Sequence, residues 1–478
     1  MNSASYEKTA ERPDSLAERL LARVLPPLAW VLCRTLGLAT WFFTNRRDIA
    51  IRNLALAFPE KDAAWHRKMA FASVLGMFEM FTIPLVLPHI GNDAVRRRFS
   101  FAPGAVDRFR AATKGHPTIF ATPHCAMMEA LAVLPALDKD VTHVTTVYRP
   151  LDFRPADRMV LRARQHWGMK LLSRRDGLLG LRKELAAGQS VGILFDQNAL
   201  TAGALILSFG RVCSATDLPG ILASKLHLSC NLVHPLRTGF LRARIDVIPI
   251  ESDGTAADIT ARTSLCFENI LRENEDACAD WMWAHRRWNS FHARSGAASL
   301  NLEAHRSYLA ESLKAMGLSQ LPRRQPFCLR MPSDPALAAI AAEWMPVLRA
   351  ARPDVRWIVV APGLAATHFR EGENCERLVT ARRGHVESAL RTIRTEYPQI
   401  YFSLEPDSDL KAESAACHAE YKAGISTQTA CRKTRRVVFI TPPERLAKEE
   451  FGKLLADFFV FCGLRERPAP GLDATSKT

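Results

Sequence analysis

From Gly104 onward the chain sets short apolar runs (Thr118–Ala121, Val141–Val147, Val191–Phe195, Leu232–Pro235 and Ala243–Ile250) against helical stretches such as Ala156–Trp167 and Leu178–Ala187. Apolar strands that alternate with helices bury both faces of a sheet, which is the pattern of an α/β sandwich. In such sheets chemistry gathers where strands run out into loops. His124, Arg149, Asp196 and Gln197 all fall at predicted strand ends, so one common site is expected for them.

The sharpest local signal is Thr122-Pro123-His124-Cys125-Ala126-Met127-Met128-Glu129, with a histidine five positions before a carboxylate. An imidazole can take the proton of a hydroxyl, while a neighbouring carboxylate fixes its tautomer and stabilises the imidazolium that forms. The same pair alone also fits a purely structural role. Cys125 can be read as a nucleophile or as a packing residue, and the kept spacing of His124 and Glu129 favours packing.

Ahead of this region, the run from Val24 to Phe43 has about the length that crosses a bilayer core of roughly 30 Å. Two prolines at its start and Arg34 in its middle weaken it as a lone span, since an arginine at a helix centre costs about 2.5 kcal/mol or more. A membrane-anchoring helix flanked by Arg46 and Arg47 is the preferred reading, and a buried core helix is the alternative. The first fourteen residues are polar with both charge signs, unlike a secretory signal. The stretch IAIRNLALAF over Ile49–Phe58 and an amphipathic segment over Ala63–Pro84 predict further helices.

A length of 478 residues implies two domains. The net charge of +15 asks for an acidic partner: nucleic acid, an anionic membrane, a phosphorylated lipid or an acidic carrier protein. Nucleic acid is disfavoured, because the arginines are scattered among apolar helices with no basic–aromatic module in register. Eleven cysteines at irregular positions give no zinc-ligand spacing and read as reduced cytosolic thiols.

Together with the His124 segment, Val147-Tyr148-Arg149-Pro150-Leu151-Asp152, Arg162-Ala163-Arg164, Val191 through Asn198 and Trp281-Met282-Trp283-Ala284-His285-Arg286-Arg287-Trp288 resemble the late acyltransferases of lipid A biosynthesis, the lauroyl/myristoyl transferase family, from about Arg46 to Asn289. The resemblance implies transfer of a fatty acyl group from acyl carrier protein to a hydroxyl of a lipid A precursor, an anionic glycolipid, at the cytoplasmic face of the inner membrane. It implies no cofactor and no metal. His124 would be the general base and Glu129 its partner. Arg149 and Arg164 offer planar guanidinium forks for phosphate. Asp196 and Gln197 close a strand and would hold an arginine or cap the next turn, and Arg286 and Arg287, ringed by tryptophans, would form an interfacial or substrate-edge surface with His285 packed as a structural residue. Where many members carry a Gly-Asn-aromatic insert, this chain has Cys125 to Met128, which puts chain-length choice and activity in question. A catalytically silent glycolipid-binding scaffold and an acyltransferase for another glycolipid or an aminolipid are the alternatives.

Beyond a basic linker at 296–325, Phe327–Pro332, Ala336–Arg352 and Val355–Ala361 read as strand, helix and strand, the opening of a Rossmann-like α/β domain over 326–465, with a polar tail at 466–478. No G-x-G-x-x-G loop follows the first strand. Phe327 to about Thr441 resembles the N-terminal half of lipopolysaccharide heptosyltransferases, glycosyltransferase family nine. Asp334 stands near that family's catalytic base, but the preceding glycine is absent and no second half follows. A domain that does not transfer sugar is expected, following a membrane-anchoring segment at 1–48 and an acyltransferase domain at 49–295.

Overall fold

The computed structural model describes residues 13–138, 141, 144–148, 152–173, 177–289, 302–382, 384–427, 436–441 and 443–461. They fall into two compact units. One gathers the described residues up to Phe209 with Ser214–Arg287 and His305–Ser319, and the other is built mainly from Gln320 onward.

The first unit is organised by a seven-stranded sheet. Its strands are β1 (Phe99–Phe101), β2 (Ile119–Thr122), β3 (Val144–Tyr148), β4 (Lys170–Ser173), β5 (Ser190–Leu194), β8 (Cys230–Gly239) and β9 (Arg242–Pro249), with a ribbon of β6 (Ala204–Ser208) and β7 (Arg211–Ala215) between β5 and β8 in sequence. The sheet order is β1-β9-β8-β2-β5-β3-β4. All its pairings are parallel except the β8–β9 hairpin. Strand β2 is buried along its whole length, which is why its sequence is unbroken apolar rather than alternating. It pairs with β5 so that Thr122 lies opposite Leu194. The residues just past each strand end therefore emerge side by side.

Helices on the N-terminal side of this sheet begin with Leu16–Phe43, opened by a reciprocal capping box between Ser15 and Glu18. Pro26 and Pro27 lie inside the helix without ending it. Proline 26 has no N–H for the Ala22 carbonyl, and Arg98 donates to that oxygen instead at 3.3 Å. Buried Pro26, Ala29, Cys33, Gly37 and Trp41 recur every three or four residues and form one stripe. The opposite face leaves Leu16, Leu20, Leu28, Val31, Phe42 and Phe43 exposed. By length and composition this helix and the segment Ala63–His89 are each able to cross a membrane, and the second is mostly buried within the unit. The helix Arg306–Ala315, inside the stretch expected to be a linker, packs against the helix Ala256–Glu273, and Tyr308 donates to Asp217 at 2.8 Å.

The second unit is a six-stranded parallel sheet. Its strands are β10 (Gln325–Arg330), β11 (Val355–Pro362), β12 (Arg377–Ala381), β13 (Ile400–Ser403), β14 (Tyr421–Ser426) and β15 (Arg436–Ile440), in the order β12-β11-β10-β13-β14-β15. Counted from its first strand this is the doubly wound order of Rossmann folds, so the expected opening continues into a full sheet. Asp334 caps the helix Pro335–Ala351, its carboxylate accepting the Ala336 N–H at 2.8 Å. The polar tail lies outside the described residues.

Gly37 sets how closely the first helix approaches its neighbour, because a Cβ there would stand 2.9 Å from the Leu75 Cα. Gly37→Val is expected to destabilise the first unit by about 1–3 kcal/mol through overpacking. Thermal unfolding and limited proteolysis within Leu16–Phe43 check this; an unchanged melting profile would contradict the close approach.

Candidate active site

His124 and Asp196 stand two residues beyond the registered pair Thr122 and Leu194, on adjacent strands. The Phe195 N–H still donates to the Thr122 carbonyl at 3.3 Å, so the parallel ladder runs up to the site itself. The His124 Nδ1 lies 2.7 Å from an Asp196 oxygen, and the His124 backbone N–H points at the same carboxylate at 3.0 Å. Trp281 Nε1–H donates to its other oxygen at 2.6 Å. Asp196 is 3 % exposed. Burial alone would raise its pKa, but the charge and hydrogen bond of His124, the Trp281 donor and the nearby Arg287 outweigh it and hold the carboxyl at about 2. With Nδ1 committed to this carboxylate, Nε2 is the ring nitrogen left to exchange a proton.

Glu129 has a different partner. Its two oxygens accept from Arg164 Nε at 2.8 Å and Nη2 at 2.5 Å, a fork-to-fork pair. The expected His124–Glu129 pairing is thus replaced by His124–Asp196 and Arg164–Glu129. Strand register sets the first of these, whereas proximity in sequence had suggested Glu129. Both Arg164 and Glu129 border a cavity whose other walls, including Phe109, Phe120, Leu131 and Val233, are nearly all apolar. His124, Asp196 and Gln197 border a smaller space with Trp281 and His285.

The segment Trp281–Arg287 is a buried strap, which corrects its reading as a substrate-edge surface. Trp281, Trp283, Arg287 and Trp288 are each 5 % exposed or less. Cys125 and Trp281 form a β-bridge, and the Met282 N–H donates to the His124 carbonyl at 3.2 Å. Asn53 donates to the carbonyls of Trp283 and His285, Ser73 to that of Trp281, and Arg287 to that of Ser214 at 3.0 Å. Arg287 is therefore a structural tie, and Arg286 is half-buried on the same strap with its carbonyl accepting from Asn198. His285 accepts the Asn198 N–H on Nε2 at 2.9 Å, which agrees with a packed structural role; burial pushes its pKa down to about 4. Asn53 and Ser73 escaped the sequence reading. The one available sign was a polar Arg52–Asn53 pair inside an otherwise apolar helix. The Cys125 thiol is fully enclosed and burial pushes it well above its ordinary value, so it is a packing residue. Arg149 lies outside the described residues.

The family model of bacterial lipid A biosynthesis acyltransferases matches residues 17–290. The chain belongs to this family. The family's members are bacterial lipid A biosynthesis acyltransferases. A comparison with curated proteins finds no match. Among solved structures, a glycosyl transferase family 9 protein from Veillonella parvula is similar at 15 % identity and a TM-score of 0.23, over 32 % of this acyltransferase and 46 % of that chain. The acyltransferase thus spans less than half of that protein's length.

Two buried histidines set an acid limit on the unit. His234 and His285 are each held near a pKa of about 4 by burial, below the usual 6.5. A depressed histidine favours the folded state fully above the unfolded value, and that contribution is lost as pH falls from about 6.5 to about 4. Stability is expected to drop across this window. His234→Leu should flatten the slope in thermal unfolding measured from pH 7 to pH 4, and an unchanged slope would contradict the assignment.

Proposed function

We propose that the protein moves a fatty acyl group from the thioester of acyl carrier protein to a hydroxyl of a lipid A precursor at the cytoplasmic face of the inner membrane. His124 Nε2 takes the proton of the acceptor hydroxyl, and the oxygen attacks the thioester carbonyl. The tetrahedral adduct collapses to the ester, and the leaving thiolate receives the proton from His124. Asp196 keeps Nδ1 protonated, so the lone pair stays on Nε2, and it stabilises the imidazolium between the two proton transfers. The reading assigns Arg164, oriented by Glu129, to the charge that develops on the thioester oxygen. The apolar cavity beside this pair has walls suited to an acyl chain and one polar end suited to its carbonyl. Arg149, Gln197 and Arg286 remain proposed contacts for substrate phosphate or sugar. The exposed apolar face of Leu16–Phe43 supports attachment to the membrane.

The observation that carries this reading is the His124 Nδ1–Asp196 hydrogen bond at 2.7 Å, which leaves a histidine oriented as a base. Acyl transfer from radiolabelled acyl carrier protein to a lipid A precursor, run with detergent-solubilised protein, is the test. His124→Ala is expected to lose about a thousandfold in rate, and Asp196→Asn about a hundredfold or more. Full activity of His124→Ala would sink the mechanism. Inactivity of the intact protein with several acyl donors and glycolipid acceptors would move the reading to a glycolipid-binding scaffold. Leu131→Trp, which fills the cavity, should shift preference toward shorter acyl chains in the same assay. An unchanged donor profile would remove the cavity from the proposal.

A further inference from the structure

A further cavity, polar in its lining, lies in the first unit on the side of the helix Leu16–Phe43. Arg34, Glu79, Arg237, Phe240, Asp276 and Asp280 are among the residues that border it. Two of its charges satisfy each other. Arg237 donates to Glu79 at 2.8 Å, and the Leu241 N–H takes the second Glu79 oxygen at 2.5 Å.

One buried group keeps an unmet demand, and one cation at the border is left without an ion pair among the described residues. Asp280 is 5 % exposed, and neither of its carboxylate oxygens has a hydrogen-bond partner. Burial pushes its carboxyl up to about 8, and the Cys125 thiol and the Met127 N–H, which pull the other way, do not reach its oxygens in hydrogen-bond geometry. A buried carboxyl without donors costs folding free energy. Its missing partner is a hydrogen-bond donor. Arg34 makes no ion pair among the described residues, and its guanidinium sits over the Trp30 ring at 5.5 Å. Its missing partner is an anion.

A ligand that meets both demands carries an anionic group at one end and N–H or O–H donors at the other. Arg34 belongs to the helix whose outer face is exposed and apolar, so the membrane is the nearest source. We propose that this cavity binds the headgroup of a glycerophospholipid, with the phosphate on Arg34 and a terminal ammonium or hydroxyl on Asp280. Asp276, exposed at the border, adds a second carboxylate for an ammonium. The proposal rests on the membrane attachment given above and is independent of the acyl-transfer chemistry. Because Ala126 N–H donates to the Asp280 carbonyl at 3.1 Å, an occupied cavity would also brace the segment that carries His124.

Calorimetric titration of the full chain in a nonionic detergent, without acyl donor, tests this with phosphoethanolamine, glycerophosphate, phosphocholine and inorganic phosphate. Phosphoethanolamine and glycerophosphate are expected to bind about tenfold more tightly than phosphocholine, whose quaternary ammonium has no N–H, and than phosphate alone. Asp280→Asn should remove that preference, and Arg34→Gln should weaken all four probes. Equal binding of phosphoethanolamine and phosphocholine, or of phosphoethanolamine and inorganic phosphate, would overturn the proposal, as would a preference that survives Asp280→Asn. If Asp280→Asn lowers the melting temperature, the decision passes to Arg34→Gln: undiminished binding there sinks the proposal, and uniform weakening supports it. The readout is binding, so a protein inactive in acyl transfer leaves the result interpretable.

Discussion

The first unit depends on a single buried carboxylate. Asp196 gathers the His124 ring, the His124 backbone and the Trp281 indole, and so fastens the ends of β2 and β5 to the strap that follows the helix Glu275–Asp280. A carboxylate enclosed to this degree is stable only if its donors offset the loss of water. Here they do: the pKa falls to about 2 although burial alone would raise it. The shift corresponds to roughly 2 kcal/mol of folding free energy. It is present in full above the unfolded carboxyl value near 3.8 and is lost as pH falls toward 2. The same contact that holds the sheet to the strap also fixes which nitrogen of His124 carries the proton.

Two acidic residues near one histidine have been given separate duties by their surroundings. Asp196 lies at the end of a parallel strand beside His124, while Glu129 lies on the turn Met128–Val133 and faces Arg164 from the helix Arg154–Gln165. The Arg164–Glu129 pair is largely enclosed, with 18 % and 8 % of the two side chains exposed, and it is the charged feature of a wall otherwise apolar. In such surroundings a bidentate pair is rigid, because any other placement of either charge would be poorly solvated. Rigidity suits the role proposed for Arg164, since a preorganised donor need not rearrange as charge forms.

The central strands were legible in the sequence because burial on both faces makes their cores continuous apolar runs, as in Ile119–Ala121 and Val191–Leu194. The edge strand Phe99–Phe101 has only three residues, and Lys170–Ser173 sets two leucines between polar ends, so neither stands out as an apolar run. His124, Asp196, Glu129 and Arg164 were all recognisable as candidates, yet their pairing was not. The His124–Asp196 contact spans 72 positions and follows from the register of β2 on β5, which no local spacing encodes. The strap misled for another reason: tryptophan and arginine suit a lipid–water boundary and a core equally well, and only the backbone carbonyls that receive Asn53, Ser73 and Asn198 decide between them. In the second unit, the strand–helix–strand opening was readable, whereas the later parallel strands follow a sequence with weaker punctuation.

The first helix shows how a residue that weakens one reading can support a more specific one. A guanidinium at the middle of an apolar helix is costly if all sides of that helix meet lipid. Leu16–Phe43 does not meet one medium on all sides, since Ala29, Cys33, Gly37 and Trp41 are covered by the unit while Leu28, Val31 and Leu36 are exposed. Arg34 follows buried Cys33 and borders the polar cavity, where its charge acts on Glu79. The helix can therefore present an apolar face to a bilayer and keep its one central charge at a polar boundary. That geometry favours a helix lying along the protein at the membrane interface over one isolated in the hydrocarbon, because only the former keeps both the Gly37–Leu75 approach and the Arg34 cavity intact.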